Sequence, residues 1–485
     1  MEIEFKNGVT KESMPNVLIL LLDAFRADYL GCYGNREGLS PNIDRIAKEG
    51  VLIERSTSVA PWTGPSQATM FTGLYPNQHR CTWNTMRIRP GIYTIWDVFE
   101  AAGYHMVASL SNDKVDNVFK LLGDKTEILG WVTSGGLEVT KNKGREYAFD
   151  EAASKAPAIV NYFTDWLDRH KGKKVPFAAY LNVYDCHTRY RVEEPYKSKF
   201  LSKEDLKTLD MMWEMGGPFM LHFKEMNREL EVTPQMIHAL KSQYKAQVNL
   251  IDDSVGMLLK KLAEYELLEN TIIIPIADHG DQLGDHRFPS FHHQSSIYNC
   301  LLWIAWIVRF PKSLPKNRRI STPFIQNIDF METVLDLCGI KKPDFLRRSP
   351  GVSLVPYFLG EKEEPPRNYG ISMYETPTTF VKWNLAQVGD EYLRKLLAIW
   401  DRKYKLIFSD GGYRELYDIE MDWNEHKDIH EQFPDKCKEF EKIFYDTFEE
   451  YGGIPDEYLV TAFSPETKDK IMERLRMTGY IPDNE

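Results

Sequence analysis

The sequence predicts an α/β fold, in which a large sheet is buried between helices and a smaller unit with an antiparallel sheet follows. Short continuous apolar runs alternate with helical patterns, and no internal repeat is present. The pattern of apolar and polar residues changes near residue 376. Continuous apolar runs are typical of parallel strands that are covered on both faces. We therefore divide the 485-residue chain into a large α/β unit, 1–375, and a smaller α+β unit, 376–485.

The first unit contains the apolar runs that predict parallel strands. The predicted strands are VLILLL (17–22), GYHMVASLSN (103–112), PFAAYLNVYD (176–185) and TIIIPIAD (271–278), and the predicted helices are PNIDRIAKEG (41–50) and the amphipathic stretch 233–268. The aromatic and methionine-rich region 188–234 is interpreted either as core or as a lid over a pocket.

The second unit has the pattern of a hairpin followed by helices. The segment 395–420 is typical of strands joined at Asp410-Gly411-Gly412, because glycine readily supplies the positive φ of a tight turn. Helices are predicted at 426–452 and 466–480.

Charge and cysteine usage exclude several classes of function. Sixty basic and 71 acidic residues give a net charge of -11 without long blocks of one sign, which argues against a nucleic-acid partner. The six cysteines are scattered, so neither a disulfide framework nor a structural zinc cluster is indicated. The N-terminus lacks a secretory pattern and the first apolar run is too short to cross a bilayer. We expect a cytoplasmic protein without a membrane partner; the oligomeric state, a homo-oligomer included, is left open.

Acidic residues follow two of the predicted strands directly. Asp23 comes after the first strand, and Asp278 with His279 comes after the last one. Ligands of open α/β sheets bind beyond the carboxyl ends of the strands, and carboxylate and imidazole groups on rigid elements are suitable ligands for a divalent cation. The alternative is that each acid caps the next helix or turn.

The stretch PWTGPSQATMFTG (61–73) predicts a helix whose start faces a ligand or is simply capped. Pro65 suits the first helical position, because its φ is fixed at a helical value and its missing N–H is not needed there. Thr63 would then lie at the positive end of the helix, where an anion is favoured. Threonine is also a common helix cap, and local sequence does not decide between these interpretations.

Eight segments, in order and along nearly the whole chain, resemble the sulfatase family of the alkaline phosphatase superfamily. The resemblance implies an alkaline-phosphatase-like fold, with a large mixed sheet flanked by helices and a small C-terminal domain with an antiparallel sheet. It also implies a metal-bound nucleophile between the two domains. The segments are NVLILLLDAFRADYLGCYGN, LSPNIDRIAKEGVLIERSTS, APWTGPSQATMFTGLYPNQH, ADHGDQLGDH, YNCLLWIAWIVRFP, IDFMETVLDLCGI, ELYDIEMDWNEHKDI and RLRMTGYI.

The resemblance assigns metal ligands and a nucleophile, with departures from the family pattern. It implies Asp23, Asp278 and His279 as ligands of one divalent ion (Ca, Mn, Zn or Mg) and Thr63 as the nucleophile that also contacts the ion. The family's Cys or Ser, which is oxidised to formylglycine, is replaced by Thr63, and its arginine by Gln67. We therefore expect no formylglycine. Ala24 stands where many sulfatases have a further metal-binding Asp, so one negative ligand is lost.

Three further positions, His187, His293 and Asn112, match substrate-facing residues of the family. The resemblance implies catalytic roles for His187 and His293 and a substrate contact for Asn112, and the alternative for each is a structural hydrogen bond. Arg26 is expected to brace the metal loop, with a substrate contact through its guanidinium fork as the alternative. Asp281 and His286 continue the metal-binding loop and are expected to support the ligands. A second ion would draw on Asp185, His187 and His293, but the usual spacing for it is absent.

These residues predict a metal-dependent hydrolase that attacks a small anionic ester with unmodified Thr63. Phosphodiesters or phosphonate monoesters are slightly favoured over sulfate esters, because a threonyl sulfate is hard to clear without formylglycine. The alternatives are a sulfatase that works without formylglycine, a transferase that passes the bound phospho group to an alcohol, and a silent binding protein.

Overall fold

The computed structural model describes residues 3–450 apart from several short gaps. Positions 7, 12, 83–84, 113, 132–154, 173–174, 188–191, 287–292, 294–295, 376–394 and 410–411 are not among the described residues. The predicted helix at 466–480, the segment RLRMTGYI and two residues of the predicted turn, Asp410 and Gly411, therefore lie outside the description. No helix within the described part of the chain is long and apolar enough to cross a membrane.

Fourteen strands are defined among the described residues. They are β1 Asn16–Leu22, β2 Val51–Ile53, β3 Ser56–Thr57, β4 His105–Leu110, β5 Glu127–Trp131, β6 Phe177–Val183, β7 Thr271–Ala277, β8 Trp303–Ile304, β9 Ile307–Val308, β10 Arg318–Ile320, β11 Gly370–Tyr374, β12 Leu396–Trp400, β13 Tyr404–Phe408 and β14 Arg414–Asp418. Each of the four predicted strands of the first unit is confirmed, as β1, β4, β6 and β7.

The helices of the described chain include the two predicted for the first unit, and the rest lie between the strands or cover the second sheet. They are α1 Pro41–Lys48, α2 Thr63–Thr72, α3 Pro76–His79, α4 Ile95–Ala102, α5 Lys114–Asn117, α6 Lys155–Arg169, α7 Tyr196–Phe200, α8 Lys203–Glu214, α9 Gly217–Met226, α10 Pro234–Glu264, α11 Asn299–Leu302, α12 Phe330–Leu337, α13 Val355–Phe358 and α14 Pro434–Glu450. The long helix α10 begins as the sequence predicts, because the Thr233 hydroxyl accepts a hydrogen bond from the N–H of Met236.

The central sheet is parallel at its core and mixed at one side. Its strand order is β5-β4-β6-β1-β7, and β1 pairs in parallel with both β6 and β7. Antiparallel bridges Ile273–Arg309 and Ile276–Trp306 join β7 to the region of β9, which pairs antiparallel with β2; β2 in turn pairs parallel with β10. The large mixed sheet implied by the resemblance is confirmed.

Both faces of the central strand β1 are covered, which explains its uninterrupted apolar sequence. Val17, Ile19 and Leu21 belong to one buried cluster, which also contains side chains of α2, α4 and α12. The alternate residues of β1 belong to a second cluster with side chains of α1, α6 and α10. Because successive side chains of a strand point to opposite faces, a strand between two layers of helices must be apolar at every position.

The region 192–234, interpreted above as core or lid, packs against the helix α10. It forms α7, α8 and α9, and Leu209, Met212 and Leu221 are buried in the second cluster. The core interpretation therefore holds for these apolar side chains.

The second unit is a four-stranded antiparallel sheet covered by one helix. Its order is β11-β12-β13-β14, and α14 packs Phe440, Phe444 and Phe448 onto it. The predicted hairpin is confirmed as β13 and β14. The helix predicted at 426–452 is found as α14, but it begins at Pro434 rather than at 426. Strand β11 precedes residue 376, and the boundary between 375 and 376 stays a prediction.

A buried lysine of the second sheet connects it to the first unit. Lys405 of β13 pairs with Glu425 at 2.6 Å, and both side chains are almost fully buried. The Lys405 ammonium also donates to the carbonyl of Ile297 and to Asn299 Oδ1, at 2.9 and 3.0 Å. The start of α11 is therefore fixed by the second sheet.

Candidate active site

Two strand ends place three chemically active side chains together. Asp23 follows β1, and Asp278 and His279 follow β7; the two strands end side by side because Leu22 pairs with Ala277. All three side chains are fully buried, and each offers a ligand atom within 4.8 Å of the others. Because neighbouring parallel strands end at the same edge of the sheet, Asp23 and Asp278 lie together although they are 255 positions apart in sequence.

Helix α2 begins at Thr63 rather than at Pro65, which corrects the predicted start. Trp62 occupies the position before the helix and Pro65 is its third residue. Proline fits there as well as at the first position, since no N–H in the first turn has a helical partner. The described contacts of the Thr63 hydroxyl are with side chains and not with the backbone at the start of the helix: it lies 3.4 Å from Asp23 Oδ1 and 3.4 Å from His279 Nε2. Its orientation agrees with the ligand-facing interpretation.

Side chains of α2 tie the start of the helix to the end of β7. Ser66 Oγ donates to the Asp278 carbonyl at 2.7 Å, and Gln67 Nε2 donates to Asp278 Oδ2 at 2.9 Å. The side-chain oxygen of Gln67, Oε1, in turn accepts from the Tyr180 hydroxyl at 2.8 Å. Gln67, which replaces the family's arginine, therefore holds one carboxylate of the site through a neutral contact.

A second chain of hydrogen bonds orients Asp23. Asn112 Nδ2 donates to Asp23 Oδ2 at 3.2 Å, and the Asn112 N–H donates to Asn182 Oδ1 at 2.8 Å. Asn112 thus lies against the predicted metal ligands. The sequence analysis missed Asn182, although a polar residue within the apolar strand β6 is a signal that could have pointed to it.

Ala24 has a left-handed backbone at the edge of the site. Its φ is 54°, a region in which residues other than glycine are uncommon and Asn and Asp are enriched. The Ala24 N–H donates to Asp278 Oδ1 at 3.2 Å, and its carbonyl accepts from the Tyr244 hydroxyl at 2.8 Å. The backbone therefore serves the site even though the side chain that an acidic residue would supply is absent.

The two predicted catalytic histidines lie next to His279. The ring centroids of His279 and His293 are 4.5 Å apart, and those of His293 and His187 are 4.6 Å apart. The Tyr184 hydroxyl lies 3.1 Å from His187 Nε2, and Asp281 Oδ1 lies 3.5 Å from His293 Nδ1. The three imidazoles form a row in the order His279, His293, His187.

Two side chains that the sequence analysis missed influence this row. Buried His222 of α9 and Lys114 of α5 both interact electrostatically with His293 and lower its pKa. A single histidine in a methionine-rich helix carries no local pattern that distinguishes it from a core residue. Lys114 could have been named as a candidate from the sequence, because it lies two residues after the predicted site residue Asn112.

Burial dominates the electrostatics of the site. Burial, together with the neighbouring carboxylate of Asp278, raises the pKa of Asp23 to about 7, and burial raises the pKa of Asp278 to about 7. Burial also lowers the pKa of His279 and, reinforced by His279, lowers the pKa of His293 well below its usual range. His279 Nε2 lies 3.7 Å from Asp23 Oδ1 and 3.8 Å from Asp278 Oδ1. Two buried carboxylates beside a neutral imidazole form a donor set that fits a divalent cation.

Other predicted site residues are engaged elsewhere. The Arg26 guanidinium pairs with Asp28 at 2.7 Å and with Asp285, and it also donates to the carbonyl of Asp281 at 3.2 Å. These contacts favour the bracing interpretation of Arg26 over a substrate contact. His286 stacks on Tyr298 with ring centroids 3.6 Å apart, and burial lowers its pKa to about 4.

Asp185 is turned towards the backbone of α6. Its Oδ1 accepts a hydrogen bond from the N–H of Lys155, the first residue of that helix, at 2.9 Å. A carboxylate at the start of a helix is favourably placed for the helix dipole. This contact favours a capping role for Asp185 over a part in a second metal site.

A mixed α/β sheet with a hydroxyl, two carboxylates and an imidazole gathered at its carboxyl edge is typical of hydrolases. The family model of the sulfatases matches residues 15–340, and that of the C-terminal part of N-sulphoglucosamine sulphohydrolase matches residues 284–449. The chain belongs to the sulfatase family and is a hydrolase of that family.

Individual relatives cover most of the chain. The multifunctional alkaline phosphatase superfamily protein PehA of Trinickia caryophylli is 26% identical over 487 residues, which cover 85% of this chain and 91% of that protein. N-acetylglucosamine-6-O-sulfatase of Bacteroides thetaiotaomicron is 24% identical over 513 residues, with 91% and 88% covered. The crystal structure of a phosphonate monoester hydrolase of Agrobacterium radiobacter has a TM-score of 0.71 at 17% identity and covers 90% of this chain and 96% of its own. This last likeness shows the fold.

Proposed function

We propose that this protein is a metal-dependent hydrolase of small anionic esters, in which unmodified Thr63 is the nucleophile. The observation that carries the proposal is the position of the Thr63 hydroxyl, which is buried and lies 3.4 Å from both Asp23 and His279. Asp23, Asp278, His279 and Thr63 would hold one divalent ion. When bound, such an ion supplies a Lewis acid that favours the deprotonated hydroxyl and offsets the charge of the ester.

The chain's own residues account for the remaining steps. The Thr63 hydroxyl gives its proton to solvent water as its oxygen attacks the phosphorus or sulfur atom, the bond to the leaving oxygen breaks, and His187 donates a proton to that oxygen. Water then attacks the threonyl ester, which releases the acid and restores the hydroxyl. The N–H groups at the start of α2 and the donor group of Asn112 stabilise negative charge near Thr63.

A phosphorus ester is the substrate that we favour. A threonyl phosphate is open to attack by water at phosphorus, whereas a threonyl sulfate lacks the route that formylglycine provides. The relatives support this preference in part, because they include a phosphonate monoester hydrolase and a multifunctional superfamily member beside a sulfatase. Phosphodiesters and phosphonate monoesters are therefore the first substrates to test.

The test is steady-state hydrolysis of nitrophenyl phosphodiester, phosphonate, phosphate and sulfate, with Mn²⁺, Zn²⁺, Mg²⁺ or Ca²⁺. We expect Thr63→Ala to lower kcat by about 10⁴-fold or more and Thr63→Ser to retain part of the activity. Thr72→Ala is the matched control, because its buried hydroxyl lies in the same helix and its described bonds are local: it donates to the carbonyl of Ala68 at 2.6 Å and accepts from the N–H of Leu74 at 3.3 Å.

Acid quenching followed by mass spectrometry is expected to find a phosphorylated peptide that contains Thr63. Added alcohol acceptors separate a hydrolase from a transferase by the products. Sulfate hydrolysis that survives Thr63→Ala contradicts the proposal, and so does a wild-type protein without any chelator-sensitive activity.

A further inference from the structure

A second group of metal-ligating side chains lies at the opposite edge of the central sheet. His105 is the first residue of β4, Glu127 is the first residue of β5, and His170 directly follows α6. Each offers one ligand atom, and these atoms lie within 4.8 Å of one another. Because the strands are parallel, this amino edge is on the order of 20 Å from the carboxyl edge that holds the candidate active site. The group is therefore separate from that site.

Trp166 orients two of the three donors. Its carbonyl lies 2.9 Å from His170 Nδ1, and since a carbonyl only accepts, the proton of that imidazole is on Nδ1. The Nε2 lone pair of His170 is then the one that is directed to a ligand. The Trp166 indole stacks on the His170 ring at 4.3 Å and donates to Glu127 Oε2 at 3.3 Å. One tryptophan thus positions an imidazole and a carboxylate towards the same place.

His105 completes the group. Its Nε2 lies 3.0 Å from Glu127 Oε2, and its ring is 5.3 Å from that of His170 at an angle of 85°. All three side chains are half-buried, so a cation could enter from solvent and keep a water ligand. Burial opposes ionisation, but hydrogen bonds from His105 and Trp166 hold the pKa of Glu127 below its usual value.

We propose that His105, Glu127 and His170 bind a zinc-type divalent ion, with a fourth position open to water. Two imidazoles and one carboxylate with an open position are a donor set of zinc sites, and imidazole ligands disfavour Mg²⁺ and Ca²⁺. Ligand atoms at about 2.1 Å from a tetrahedral zinc are about 3.4 Å apart, so donors that lie within 4.8 Å reach this geometry by side-chain rotation. The ion joins the end of α6 to the starts of two strands.

The test counts zinc in the full chain after chelator treatment and titration with Zn²⁺, by equilibrium dialysis and calorimetry. His170→Phe keeps an aromatic ring on Trp166 but removes the ligand, and we expect it to bind one zinc ion fewer per chain, or to weaken that ion by at least about 100-fold. His105→Phe is expected to do the same. His238→Ala is the matched control, since this exposed histidine also lies near one carboxylate, at 3.6 Å from Asp205.

Cobalt substitution gives a second readout. Co²⁺ in the site is expected to produce the visible absorption of tetrahedral coordination, which His170→Phe removes and His238→Ala retains. Equal zinc counts in wild type and His170→Phe overturn the proposal, as does a Co²⁺ spectrum that does not depend on His170. Because the readouts are a count and a spectrum, they do not depend on whether Thr63 is the nucleophile.

Discussion

Replacement of Gln67 by leucine tests how the site holds its ion. The Gln67 amide donates to Asp278 Oδ2 at 2.9 Å, and Asp278 Oδ1 accepts separately from the N–H groups of Ala24 and His279. Gln67→Leu therefore removes the hydrogen bond that fixes one oxygen of a predicted ligand. Loss of such an outer contact costs about 10- to 100-fold in metal affinity.

The same substitution has a separate cost in stability. A hydrogen bond to a charged group is worth about 1.5–3 kcal/mol, and the Tyr180 hydroxyl that donates to Gln67 loses its acceptor at about 1–3 kcal/mol. We expect Gln67→Leu to lower the free energy of unfolding of the ion-free protein by about 2.5–6 kcal/mol in total. Urea unfolding of the chelator-treated chain measures this value.

Tyr180→Phe separates the two effects. It removes the hydroxyl but keeps the contact between Gln67 and Asp278, so we expect about 1–2 kcal/mol of destabilisation and an unchanged affinity for Mn²⁺. Mn²⁺ binding is followed by electron paramagnetic resonance, because this ion prefers oxygen ligands. Wild-type Mn²⁺ affinity in Gln67→Leu, or an equal loss in Tyr180→Phe, refutes the reasoning.

Three further outcomes are expected. Lys405→Met leaves Glu425 buried without its cation, and we expect it to lower the free energy of unfolding in urea by about 3–5 kcal/mol. The double variant Lys405→Met with Glu425→Gln is expected to recover most of this loss. Additive losses of stability in the double variant contradict this expectation. Burial lowers the pKa of His79 to about 3, so the unfolded chain takes up a proton that the folded chain refuses, and stability falls by about 1.4 kcal/mol per pH unit below about pH 6.5. His79→Gln is expected to reduce this slope, and an unchanged pH profile would count against it. Ala24→Asp adds a carboxylate at a left-handed position and is expected to tighten Mn²⁺ binding by about tenfold. Ala24→Gly is the control for backbone strain and is expected to leave the Mn²⁺ affinity unchanged. Equal effects of the two variants speak against a ligand role for the new carboxylate.

The fold and the centre of the candidate site follow from local rules that a sequence displays. The uninterrupted apolar run of β1 predicts a strand covered on both sides, and the acids after β1 and β7 meet because parallel strands end at one edge. The role of Thr63 could be predicted only with the help of the family resemblance, because a capping threonine and a nucleophilic threonine have the same local sequence. The start of α2 was wrong by two residues because proline is tolerated throughout the first turn.

The supporting contacts could not be predicted, because they depend on packing between distant segments. Gln67 contacts Asp278 across 211 positions of sequence, and His222 reaches the histidine row only because α9 packs against the core. Arg26 shows the opposite case, since its guanidinium pairs with Asp28, two residues away, and with Asp285 of the loop after β7, as the bracing interpretation predicts. Sequence patterns thus locate the side chains of the site, whereas the hydrogen-bond and ion-pair partners of these side chains depend on how the helices and strands pack.

The pairing of Leu22 with Ala277 has a consequence for how the chain folds. The two carboxylates become neighbours only when a loop of more than 250 residues has closed, and the closure entropy of that loop is lost before any cation can gain two ligands. A cation in this position therefore recognises the completed sheet rather than any fragment of it. Release of the proposed ion and global opening of the chain would be linked equilibria, so its occupancy would report on the integrity of the whole first unit.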